Sequence, residues 1–135
     1  MPHVTTRERG WPAHFCSADL CRFRRNTLLE AFDPAGRRIQ AVVVSTVGMW
    51  VPLKESKFSE VGVGRLFETM AFASMEDRID GADVQRNVPF DSPWRLNEID
   101  VVKADAMHEA VVAEIQNKML AGSLVIPPAP ASEAD

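Results

Sequence analysis

Residues 23–47, FRRNTLLEAFDPAGRRIQAVVVSTV, decide how the rest of the chain is read. Over residues 23–32 the side chains alternate. Phe23, Arg25, Thr27 and Leu29 fall on one side of an extended backbone, and Arg24, Asn26, Leu28 and Glu30 on the other. Asp33-Pro34-Ala35-Gly36 then has the chemistry of a turn: proline presets φ early in it, and glycine tolerates a conformation that other residues avoid. Residues 39–47 are dense in β-branched side chains, which fit a pleated surface better than a helix. Two extended runs joined in this way predict a β-hairpin.

Working outward, residues 14–17 are a short extended candidate closed by Ser17-Ala18-Asp19. Residues 48–64 hold Pro52, two lysines and three glycines without a period, and read as a long loop. Residues 65–74 alternate again, with Leu66, Met70 and Phe72 around Glu68 on one face and the smaller set Phe67, Thr69, Ala71 and Ala73 on the other. Apolar residues on both faces predict a central strand. Asp80-Gly81 reads as a turn and residues 82–88 as a further strand ended by Pro89.

Residues 105–121 predict a helix. Met107, Val111, Ile115 and Met119 recur every four positions with Val112 beside them, Asp105 is the candidate N-cap, Lys118 sits in the last turn and Gly122 at the stop. The expectation is an α+β fold: an antiparallel sheet of about four to five strands with one long C-terminal helix packed on it. Val42, Val44, Met70, Phe72, Val111, Ile115 and Met119 are expected in one core. Residues 1–122 are expected as a single domain and 123–135, with Pro127, Pro128 and Pro130, as a disordered proline-rich tail.

The chain has 135 residues, 46% of them apolar, which suits one globular core. No apolar run approaches the ~20 residues of a membrane-crossing helix, and no secretory leader pattern is present. Two cysteines make no disulfide framework, so a reducing, cytoplasmic setting is expected. Formal charge is −4 overall but +3 through Trp50 and −7 beyond it. That balance argues against direct duplex DNA binding, which uses a net basic domain.

Three constellations are candidates for function. Arg22, Arg24 and Arg25, with Arg37 and Arg38 across the hairpin, form the densest charge and could hold phosphate or a partner's carboxylates. Pairing within the fold, with Glu30, Glu68 or Asp91 among others, is the alternative. His14, Cys16 and Cys21 are the one cluster of soft ligands, but they lack the paired spacing of structural zinc, and no metal or other cofactor is expected. Arg22, Ser45 and Glu68 follow the residue order of ADP-ribosyltransferases. That resemblance implies an arginine positioning a dinucleotide and a glutamate activating the acceptor. Pairing of Glu68 with Arg25 or Arg86 is the structural alternative. His108-Glu109 begins like a zinc-protease helix, but Val112 stands where the second histidine would be, and no glycine-rich phosphate loop is present.

Several segments, in order, carry a wider likeness: Arg7-Glu8-Arg9-Gly10-Trp11, HFCSADLCRFRRNTLLE, VVVSTVG, FETMAF, ADVQRNVPFDSPW and MHEAVVAEIQ. Together they resemble small proteins encoded by bacteriophages and prophages, a group with no assigned activity. The resemblance implies an accessory protein that binds a protein or ribonucleoprotein partner, for example by inhibiting a host defence complex in the manner of an anti-CRISPR. An enzyme of the ADP-ribosyltransferase kind and a virion or assembly component are the alternatives.

Overall fold

A computed structural model describes residues 2–8, 20–51, 58–73 and 86–126. Its described elements are β1 (His3–Glu8), β2 (Cys21–Phe32), β3 (Arg38–Trp50), β4 (Phe67–Ala73), β5 (Arg95–Leu96) and α1 (Val101–Leu120). The strands form one antiparallel sheet in the order β1-β2-β3-β4-β5, and α1 packs on it, which is the expected α+β architecture.

The hairpin sits at the centre, with Leu28 opposite Val43 and Leu29 opposite Val42. Its turn is held by Asp33, whose Oδ1 accepts from the backbone N–H of Ala35 and of Arg37, each at 2.9 Å, while Gly36 takes φ 85°. Strand β3 continues past residue 47 to Trp50, so the expected loop begins later. Gly48 allows this: a Cβ there would overlap the Phe67 ring and the Leu66 carbonyl oxygen. Residues 52–57 lie outside the described residues, and residues 61–65 close a tight turn in which Arg65 N–H donates to the Gly62 carbonyl.

The helix differs from expectation at its start. Asp100, not Asp105, is the N-cap, with extended dihedrals and a side chain that accepts from Lys103 N–H at 3.1 Å. Asp105 lies one turn inside, where its carboxylate serves Arg25 instead. The stop is as expected: Gly122 takes φ 70°, its N–H donates to the Met119 carbonyl, and Ser123 N–H donates to that of Lys118. Packing continues beyond that stop, since Leu124 is buried and its carbonyl accepts from Gln40 Nε2 at 3.0 Å. The rest of the expected tail, residues 127–135, lies outside the described residues.

The core is divided by the sheet. Under α1, Leu29, Ala31, Val42, Val44, Ala71, Ala73 and Val88 meet Val111, Val112, Ile115, Met119 and Leu124. Phe72 and Met70 belong to the opposite face with Leu28, Ala41 and Val43, which corrects their expected place beside the helix. The reason is volume. A helix that lowers valine, isoleucine and methionine onto a strand needs small residues beneath it, and on β4 those are Ala71 and Ala73.

Two further differences concern the sheet edges. The N-terminal stretch, to which the sequence reading assigns no element, is a strand, β1, and His3 stacks on Phe32 with centroids 5.0 Å apart. The strand expected over residues 82–88 falls mostly outside the described residues, and its end is seen where Asn87 bridges Phe72. The extended candidate at residues 14–17 also lies outside them. Among the described residues no helix is long and apolar enough to cross a membrane.

Two substitutions measure this packing. Ile115, fully buried, should cost roughly 2 to 4 kcal/mol as Ile115→Ala. Gly48→Ala should cost roughly 2 to 3 kcal/mol through overlap alone. Urea denaturation of each variant checks both, and an unchanged midpoint for Gly48→Ala would show that β3 and Phe67 do not approach as described.

Candidate functional site

Helix α1 turns one polar side chain into the sheet. His108 shares the buried stripe of Ala104, Val111 and Ile115 and is itself fully buried. Three strands present a threonine beneath it, because Thr27, Thr46 and Thr69 occupy the helix-facing positions of β2, β3 and β4 and are 5%, 0% and 1% exposed. Thr46 and Thr69 are direct cross-strand partners, and Thr27 stands level with Val44 one step along β3.

These side chains form one hydrogen-bonded chain. Thr69 Oγ1 lies 2.6 Å from Thr46 Oγ1, Thr46 Oγ1 lies 2.7 Å from His108 Nδ1, and His108 Nε2 lies 2.7 Å from Thr27 Oγ1. Thr27 Oγ1 in turn donates to Glu8 Oε2 at 2.9 Å. The far end sets the direction of every link. An ionised carboxylate only accepts, so the single hydroxyl proton of Thr27 goes to Glu8, and Thr27 must receive its other bond from His108. Nε2 therefore carries the imidazole proton. Nδ1 is left as an acceptor for Thr46, and Thr46 accepts from Thr69.

Protonation states agree with this direction. Burial pushes the His108 pKa down to about 4 and the charge of Arg25 adds to the effect, outweighing the carboxylates of Glu8, Glu109 and Asp105. The imidazole is neutral at pH 7. For Glu8 burial acts upward, but hydrogen bonds from Arg25 and Thr27 hold its pKa below the usual carboxylate value. Arg25 binds Glu8 through Nε and Nη2, each at 3.0 Å, while its Nη1 reaches Asp105 at 2.8 Å and Glu109 at 2.6 Å. Its pKa is raised, chiefly by Glu8. One guanidinium thus ties β1, β2 and α1 together.

A cleft of about 720 Å³ opens at the other edge of the sheet, lined by residues that include Arg65, Glu68, Met70, Phe90 and Trp94. The outer edge of β4 is paired at both ends. Ala73 N–H donates to the Arg86 carbonyl and Val88 N–H to that of Ala71, while Thr69 N–H donates to the Trp94 carbonyl. Residues 89–93 bow away between these contacts, bounded by Pro89 and Pro93, neither of which has an N–H to offer a strand. The bow is pinned to α1 by Glu114, which accepts from Asp91 N–H and Ser92 N–H at 2.8 Å and from Ser92 Oγ at 2.6 Å. Burial works upward on Glu114, but Lys118, Ser92 and Asp91 bring its pKa down to about 2. On the rim Trp94 is 38% exposed, with the guanidinium carbons of Arg65 and Arg95 at 5.3 and 5.6 Å from its ring centroid.

Of the residues singled out in the sequence, Arg25 is drawn into the ion cluster, Arg37 pairs with Asp33 at 3.0 Å and Arg38 with Glu30 at 2.9 Å. Arg22 and Arg24 are exposed on the sheet face away from the helix. Ser45 and Glu68 face the same way, with Ser45 fully buried and Glu68 paired to Arg65 at 2.8 Å. Cys21 is buried against Val47, Trp50 and Val61, and His14 and Cys16 lie outside the described residues. Among the described residues no group of three or more His, Cys, Asp or Glu side chains is placed to hold a metal ion.

Comparison with known proteins gives no match: no family model, no curated protein and no solved structure matches the chain. Within the chain, the strand segments VVVSTVG and FETMAF and the helix segment MHEAVVAEIQ supply Thr46, Thr69 and His108. No periodicity flags that meeting, because threonine in a strand reads as β-propensity. The signal available was a histidine on the apolar stripe of a helix.

Coupling should be measurable. Thr46→Val and Thr69→Val each strand a buried hydrogen-bonding group, at about 1 to 3 kcal/mol apiece. Because the two hydroxyls share one bond, the double variant should cost less than the sum of the singles, by 0.5 kcal/mol or more in a denaturation cycle. Strict additivity would show that the chain is not continuous at Thr46.

Proposed function

We propose that this chain is a binding protein, an accessory factor of a phage or mobile element that holds a bacterial protein or ribonucleoprotein and, in the manner of an anti-CRISPR, blocks it. The cleft beside β4 is the recognition site. The observation that carries the reading is the rim: a half-exposed tryptophan flanked by two arginines at a cleft whose lining includes Met70 and Phe90. Tryptophan and arginine are the residue types that dominate binding energy at protein interfaces, and a cleft that receives a partner's side chain desolvates them. Val63 adds to the surface at 91% exposure on the turn that ends in Arg65.

The hairpin arginines contribute less than their sequence density suggests, since Arg25, Arg37 and Arg38 are each satisfied by carboxylates of the chain. A catalytic reading through Arg22, Ser45 and Glu68 has less support than binding, because Ser45 has no exposed surface and Glu68 is already neutralised.

A photo-crosslinking residue at position 94, compared with one at position 22, tests the reading in a bacterial lysate. Expected is one crosslinked partner from position 94, lost when Arg65 and Arg95 are both changed to Glu and weakened about tenfold or more by Trp94→Ala. Circular dichroism confirms that the fold is kept. Crosslinking from position 22 alone, with loss on Arg22→Glu/Arg24→Glu, would move the interface to the sheet face away from the helix. A partner carrying a new covalent mass that requires dinucleotide would replace binding with catalysis.

A further inference from the structure

Each of the five members of the hydrogen-bonded chain, four of them buried and Glu8 at its exposed end, comes from a different element: Glu8 from β1, Thr27 from β2, Thr46 from β3, Thr69 from β4 and His108 from α1. In the neutral chain one proton lies in each link, so Thr27 and Thr46 each donate once and accept once. Adding a proton to Nδ1 breaks this balance. Thr46 would have to turn its hydrogen away from the imidazole, and its other partner in the chain is Thr69, which already donates to it. Thr69 would then have to turn as well, and it is 1% exposed. The disturbance ends on a buried hydroxyl and leaves a charge inside the sheet–helix interface.

The surroundings do not absorb that charge. Arg25 repels it from β2. Glu8 on β1 and Asp105 and Glu109 on α1 attract it, but all three carboxylates are already bound to Arg25. We propose that Glu8–Thr27–His108–Thr46–Thr69 is an acid-sensitive latch, closed while His108 is neutral, which fastens β1 and α1 to the sheet and releases them when Nδ1 is protonated.

The sign follows from linkage. The folded pKa of His108 lies below its ordinary value of 6.5, at about 4, so the unfastened state binds more protons between these values. The contribution of the latch is complete above 6.5 and is lost as pH falls toward 4. From pH 7 to pH 4.5, openings that expose His108 should become about fifty-fold more frequent.

The test is native-state hydrogen exchange on the full chain at pH 7 and pH 4.5, corrected for intrinsic rates, with ¹⁵N spectra of the histidine side chains. Expected at pH 7 is a single neutral His108 tautomer with the proton on Nε2. Expected at pH 4.5 is a loss of protection of about fifty-fold in β1 and α1 and a much smaller loss in the β2–β3 hairpin. Glu8→Leu removes the acceptor that sets the direction, so Thr27 should then donate to Nε2 and the proton should move to Nδ1. His108→Gln, if it folds, should flatten the pH dependence, and if it does not, the wild-type measurements decide. An Nδ1–H tautomer in the wild type, titration near 6.5 with protection unchanged, or equal loss from every strand would overturn the latch.

Discussion

A buried imidazole that must satisfy both of its nitrogens is the constraint on which the rest of this structure turns. His108 has no access to water, so each ring nitrogen needs a protein partner with the right polarity. A neutral ring can offer one donor and one acceptor. The fold meets that demand by aligning three threonines on three adjacent strands and closing the series on a carboxylate. Register, helix height and the position of the first strand are all coupled to it. A sheet slipped by one residue would turn Thr27, Thr46 or Thr69 to the opposite face, and the imidazole would be stranded.

Arg25 extends the same logic to the surface. It gives Glu8 a charge partner, which keeps that carboxylate ionised and able only to accept, and it reaches Asp105 and Glu109 on the first turns of the helix. The guanidinium therefore works at a distance on the histidine in two ways, by opposing its protonation and by holding the group that fixes its tautomer. A residue that reads in the sequence as part of a surface patch is in this way a structural centre. The two exposed arginines of that stretch, Arg22 and Arg24, differ from it only in the parity of their positions along β2.

The opposite edge of the sheet is organised around a different carboxylate, Glu114. Strand β4 has two partial neighbours separated by a proline-bounded bow, and Glu114 accepts three hydrogen bonds from that bow and a fourth from Lys118 on its own helix. A rigid cleft wall results, with Trp94 supported between two cations. Preorganisation of this kind lowers the entropy lost on binding, which is consistent with the binding role proposed for the cleft.

The sequence by itself determined the elements whose signals are local. The alternation of residues 23–32, the Asp-Pro-Ala-Gly turn and the β-branched run after it specify a hairpin without outside help, and the four-residue spacing from Met107 to Met119 specifies a helix and its inner face. Gly122 marks its end because few residues other than glycine take that conformation at low cost. What only the tertiary structure decided is which of two apolar faces of β4 meets the helix, that a six-residue N-terminal stretch pairs as an edge strand, and that Glu8, Thr27, Thr46, Thr69 and His108 converge. Those outcomes depend on volumes and polarities summed across the sheet, and the convergence joins residues up to 100 positions apart (Glu8 to His108). A single threonine or histidine carries no mark of such a partner in its own neighbourhood, since the hydrogen bond exists only once the strands are in register and the helix lies across them.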